Sequence, residues 1–187
     1  MRPASVGQWL SVAGALLLLT THPAAGQERT PSVRVLQSVG PPGGEVAVSV
    51  HVASGGGEGL RSFTLELQFP TRELTFDRVE MGGLGDEVGA EANTEAKQRN
   101  AETLLRVTIS TPEKDGAAEP LPDGPVAQLM FKIAKHVKAK EVIPVDLDVA
   151  VLGVGPESKP VQLPAQKAEV IASDPLMTVF GCFFYMH

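Results

Sequence analysis

Reactive side chains are sparse in this chain. Asp146 and Asp148 sit two residues apart, so on a strand they share one side. Two carboxylates so placed suggest a calcium contact or an acid–base pair. Calcium takes six to eight oxygens drawn from several segments, and one pair falls short of that. His51, His136 and His187 are far apart in sequence and lack metal-ligand spacing. Ser49 lies in a Val-Ser-Val run rather than on a nucleophile elbow. No His-Glu-x-x-His, phosphate-loop, dinucleotide-binding or EF-hand pattern occurs. The single cysteine, Cys182, allows no disulfide within the chain and no cysteine-based zinc site. Neither metal nor cofactor is expected, and no nucleophile, base and orienting group assemble into a catalytic set. A binding or structural protein is expected rather than an enzyme, although a carboxylate pair in a glycosidase-type cleft stays open.

What remains is polar residues at strand spacing. In 61–69 (RSFTLELQF), Phe63, Leu65, Leu67 and Phe69 share one face, and Ser62, Thr64, Glu66 and Gln68 share the other. In 103–110 (TLLRVTIS), Leu105, Val107 and Ile109 point inward, which turns Arg106 and Thr108 outward. Each polar face is either a flat recognition surface or an ordinary solvated sheet face.

The elements that must carry these faces are β-strands. Residues 45–53 (EVAVSVHVA) alternate, with Val46, Val48, Val50 and Val52 on one side. Residues 32–38 read as a short strand, and 74–81 resume alternation with Leu74, Phe76 and Val79. In 126–134, Ala127, Leu129, Phe131 and Ile133 face the core. Residues 142–152 supply one or two strands and 161–171 a last one. Residues 82–102 read as irregular, with a short helical turn. With 19 glycines and 15 prolines, tight turns separate the strands. The expected fold is all-β: an antiparallel β-sandwich or jelly roll of about nine strands over 32–172.

Residues 1–26 read as a secretory signal: Arg2, an apolar run from Trp9 to Leu19, Pro23, then Ala24-Ala25-Gly26 before cleavage. Export is the expectation, to the periplasm, the cell surface or beyond. The segment 173–187 is apolar and aromatic from Leu176 to Met186. It is too short to span a bilayer. It reads as a sorting, anchoring or docking peptide with Cys182 as a lipidation, processing or cross-linking point, or as a final strand packed on the sandwich. Membrane association through this tail is one of its readings. A net charge of -6 with no basic run argues against nucleic acid. The one tryptophan, Trp9, leaves with the signal, which counts against sugar stacking.

Three segments together resemble cohesin domains. In GLRSFTLELQFPTRELTF (59–76), Phe63, Leu65, Phe69, Pro70 and Leu74 match the family's strand-and-turn hallmark, with Phe69 standing where the family carries Asp before the proline. The run DGPVAQLMFKI (123–133) is similar to a second cohesin strand. Val46, Val48 and Val50 after Gly43-Gly44 are similar to the opening one. The resemblance implies a nine-stranded jelly roll that binds a protein partner: a dockerin-like module, or an envelope protein outside cellulosomes. A polysaccharide ligand, or a structural place in an envelope assembly, is the alternative.

Overall fold

The computed structural model describes residues 30–174, apart from 56–58, 115–116, 156 and 158. The segment read as a signal (1–26) and the tail with Cys182, from residue 175 on, lie outside the described residues.

Among the described residues, thirteen strands and one helical turn follow in order: β1 (Ser32–Val35), β2 (Ser38–Gly40), β3 (Glu45–Ala53), β4 (Leu60–Pro70), β5 (Leu74–Met81), α1 (Gly83–Glu87), β6 (Glu91–Arg99), β7 (Glu102–Ser110), β8 (Glu113–Lys114), β9 (Ala117–Ala118), β10 (Gly124–Ile133), β11 (Val142–Val154), β12 (Lys159–Leu163) and β13 (Gln166–Ala172). They form two stacked sheets. The smaller runs β1-β3-β10-β5. The larger runs β2-β13-β11-β4-β7-β6, with β12 also on β11. A two-stranded ribbon, β8-β9, stands apart.

Period-two burial accounts for the stacking. Val46, Val48, Val50 and Val52 of β3 and Leu129, Phe131 and Ile133 of β10 line the inside of the small sheet. Phe63, Leu65, Leu67 and Phe69 of β4 meet them from the large sheet, each nearly or wholly buried. Burying one such side chain is worth about 1.5–3 kcal/mol against leaving it in water. An aromatic cluster pins the two sheets together. The rings of Phe69 and Phe131 meet edge to face at 5.2 Å and 87°, and Phe76 meets Phe131 at 5.6 Å and 70°.

Several strands differ from the expectation. The single strand read at 32–38 is two: β1 joins the small sheet, then the chain crosses over and β2 joins the large one. β2 pairs with β13 in parallel, so the sandwich is not antiparallel throughout. The last strand read at 161–171 is likewise a pair, β12 and β13, both beside the 13-residue β11. The alternation in β5 shifts because Asp77 is a bulge: Met130 pairs with Arg78 but Phe131 with Phe76. A second bulge at Val126 buries it together with Ala127.

The largest correction is β6. Residues 91–99 were expected to be irregular, yet they pair with β7 along its whole length. Every one of its nine residues is exposed, so no burial pattern marks it. Its pairing rests on ladder bonds and a tight turn at Asn100 and Ala101. There Asn100 takes φ 59°, a left-handed geometry that Asn tolerates better than most residues. The expected helical turn is α1, which sits against β10. A Cβ on Gly85 would come 2.6 Å from the Val126 carbonyl oxygen, so only glycine allows that approach.

Candidate functional site

β4 and β7 are neighbours in the middle of the large sheet, and their register brings the two predicted polar faces together. Ser62 lies opposite Ser110, Thr64 opposite Thr108, Glu66 opposite Arg106, and Gln68 opposite Leu104. With Phe63, Leu65, Leu67, Leu105, Val107 and Ile109 turned inward, Ser62, Thr64, Glu66, Gln68, Arg106 and Thr108 all stand on one outer surface.

Cross-strand side-chain bonds hold five of these six residues. The Thr64 and Thr108 hydroxyls are 3.0 Å apart and share a hydrogen bond. Arg106 donates from Nε to Glu66 Oε1 at 2.9 Å, and its Nη2 donates to the same oxygen. Gln68 Nε2 donates to the Glu102 carboxylate. β6 extends the surface: Asn93 falls beside Thr108, Glu95 beside Arg106, and Lys97 beside Leu104. Arg106 thus stands between two carboxylates. The hydrogen bond donated to Glu66 first, then the charge of Glu66, raises the guanidinium above its ordinary value, with a smaller contribution from Glu95. On the other flank β11 places Val151 beside Thr64 and Asp146 beside Gln68. The result is a broad polar sheet face with two apolar side chains, Leu104 and Val151, set into it. A shallow depression of about 320 Å³ lies at one end, lined by Gln68, Arg99, Asn100, Glu102 and Leu104.

This chemistry suits recognition. Hydroxyls and ion-paired side chains on adjacent strands are held in place by one another. They offer donors and acceptors at fixed spacings to a partner surface. Glu66 is only 21% exposed while Arg106 is 53% exposed, so the guanidinium is the more reachable member of the pair.

The remaining sequence candidates do not converge. Asp146 pairs with Gln68 and Lys167, whereas Asp148 occupies a bulge between the paired residues Leu147 and Val149. Among the described residues no group of three or more His, Cys, Asp or Glu side chains is placed to hold a metal. His51 lies on β3 of the small sheet and His136 in the turn after β10. A larger hollow of about 820 Å³ opens on the small sheet beside Arg34, His51 and Asp123. Its carboxylate is engaged, since Asp123 Oδ1 accepts the Ser54 N–H at 2.6 Å. The contributions of β6 and Leu104 were not foreseen. The one local signal was the turn-prone Asn100 just before a clear strand.

No family model and no curated protein matches this sequence. Solved structures do match in fold. The sixth cohesin of scaffoldin B from Acetivibrio cellulolyticus, solved with a Cel5 dockerin mutant, aligns with TM-score 0.61 and 17% identity. That alignment covers 76% of this chain and 99% of that one. A cohesin from a type I cohesin–dockerin complex of Clostridium thermocellum aligns with TM-score 0.58 and 18% identity over 81% and 99% of the two chains. The non-cellulosomal cohesin of the archaeon Archaeoglobus fulgidus aligns with TM-score 0.54 and 12% identity over 84% and 99%. The chain has the cohesin fold, a β-sandwich of jelly-roll type.

Proposed function

We propose that this chain is an exported, non-catalytic binding module that docks a folded protein on the outer face of its larger sheet. The observation that carries the reading is the pairing of β4 with β7, which gathers all six polar candidates on one surface and joins Thr64 to Thr108 and Glu66 to Arg106 across the strands. The likeness to cohesin modules, two of them solved with dockerins, supports a partner of the same kind: a dockerin-like helical module or an envelope protein. Residues 1–26 support export, because they combine a basic start, an apolar run and a small-residue cleavage site.

A sugar ligand has less support. Polysaccharide binding of this type relies on aromatic platforms. Among the described residues, Phe63, Phe69 and Phe131 are buried, and Phe76 packs partly buried against the core. The outer face of β4 and β7 therefore offers hydroxyls and charges but no ring.

The test is quantitative capture from the parent organism's envelope and culture fluid. The baits are the wild-type chain, Thr64→Trp, Arg106→Glu, and a control Gln128→Arg on the opposite sheet. A specific partner is held by wild type and control and drops at least tenfold with both site variants. Equal capture by all four baits would show that the partner docks elsewhere.

A further inference from the structure

Away from the polar rows, the same outer surface carries an apolar corner. Among the described residues, the large hydrophobics that are exposed are Leu36, Val39 and Val142. Two of them are brought together by pairing. Val39 on β2 lies opposite Ile171 on β13, and Ile171 lies opposite Val142 on β11. Their neighbours Gly40, Ala172 and Ile143 are buried, so Val39, Ile171 and Val142 all point outward. Val39 is 63% exposed and Val142 50% exposed. With strands about 4.8 Å apart, the three side chains form a continuous row roughly 10 Å long. Leu36 lies three residues before Val39, and its N–H donates to the Ser49 carbonyl of β3 at 2.9 Å. A polar margin borders the row, where Gln37 Nε2 donates to Glu169 Oε2 at 3.2 Å. Scattered exposed aliphatics are ordinary, but an in-register row with a polar margin is the form of a covered surface.

The row sits where β13 delivers the chain to its apolar tail. Ile171 is three residues before Asp174. The end of β13 is held firmly: Lys140 N–H donates to the Ala172 carbonyl at 2.6 Å, Ala172 N–H to Glu141 at 2.9 Å, and Ser173 N–H to Gly40 at 2.7 Å. Pro175 follows and favours a change of direction. Residues 175–187 then carry Leu176, Met177, Val179, Phe180, Phe183 and Phe184, with no charged side chain among them. At about 3.3–3.6 Å per extended residue, this segment reaches roughly 40 Å, several times the length of the row. We propose that residues 175–187 fold back over the corner made by β2, β13 and β11, covering Val39, Ile171 and Val142. The segment and the row answer each other: an apolar stretch that water disfavours starts beside an apolar surface that nothing else in the described fold covers.

Cys182 is the chain's one thiol, so it reports on the tail directly. Its alkylation by a small maleimide is timed in the reduced full chain and in a synthetic peptide of residues 174–187. Docking slows the full chain at least tenfold against the peptide, the factor that 1.4 kcal/mol of docking free energy gives. In Val142→Asn, and in the doubly substituted Val39→Thr, Val142→Thr chain, the rate returns to within twofold of the peptide. Circular dichroism stays at its wild-type value, and the urea midpoint falls by no more than the lost docking free energy, because both positions are half exposed or more on the sandwich itself. Equal rates in wild type and peptide would overturn the proposal. So would protection that survives the substitutions, which would put the tail elsewhere, or protection that grows with protein concentration, which would assign it to a second copy. Protection that appears only with anionic phospholipid vesicles would assign the tail to a membrane, and would overturn docking on the sandwich as well.

Discussion

Phe69 occupies the position before Pro70 where cohesins carry Asp, and replacing it tests how this chain uses that position. Phe69 is 1% exposed and meets the ring of Phe131 edge to face, bridging the two sheets. Phe69→Asp removes a buried ring, at about 3–5 kcal/mol on the scale of Phe→Ala changes. That figure already includes the lost edge contact with Phe131. A neutral carboxyl without a partner adds roughly 1–3 kcal/mol more. Ionisation makes matters worse. A fully buried carboxyl can be raised by as much as 3–5 pH units, and pH 7 lies about 3 units above the unfolded value, so at 1.36 kcal/mol each a further cost of about 4 kcal/mol accrues at neutral pH. The sign follows from proton binding. The introduced group holds its proton more tightly folded than unfolded, so its penalty is smallest below about pH 4, grows as the pH rises from there, and is complete once the pH has passed the folded value. The sum rivals the whole stability of a domain, about 5–15 kcal/mol. Phe69→Asp is therefore unfolded at pH 7 and regains part of its β signal near pH 4. Phe69→Leu, which loses three buried carbons at about 0.8 kcal/mol each, stays folded at both pH values. Urea titrations followed by circular dichroism at pH 4 and pH 7 read the difference. A Phe69→Asp chain within about 2 kcal/mol of Phe69→Leu at pH 7, or one indifferent to pH, would refute the account of an interior aromatic bridge.

Two further substitutions probe the surroundings of the polar face. Asn100→Val puts a β-branched side chain at φ 59° and costs about 1–2 kcal/mol, whereas Asn100→Gly is neutral or slightly stabilising. Hydrogen exchange of the β6 amides checks this, and equal protection in the two variants would contradict the turn's role. Thr111 is 6% exposed, and its hydroxyl donates to the Glu119 carbonyl at 2.6 Å, closing the connection that carries β8 and β9. Thr111→Val is expected to lower stability by roughly 1–3 kcal/mol in a denaturant titration, while Ser110→Ala, on the outer face, changes little.

Much of the architecture was legible along the chain because one face of most strands is buried. A side chain's neighbours at i±2 then share its environment, and the alternating Phe, Leu and Val of β3, β4 and β7 read directly as core. The same alternation assigned Ser62, Thr64, Glu66, Gln68, Arg106 and Thr108 to outer surfaces. It carried no information on whether those surfaces were one. That depended on β4 and β7 being sheet neighbours with Glu66 opposite Arg106, a pairing across 40 residues of chain.

Strand β6 was illegible because neither of its faces is buried, so no period in its sequence records its pairing. The bulges at Asp77 and Val126 broke the alternation at points that only the partner strand defines. Local sequence thus determined which residues turn inward, since burial imposes a period that a single strand displays by itself. The tertiary structure alone decided which strands lie side by side, where the chain crosses between sheets at residues 36–37, and that Val39, Ile171 and Val142 meet in one row. Register between distant segments is a property of the pair, written in neither strand alone.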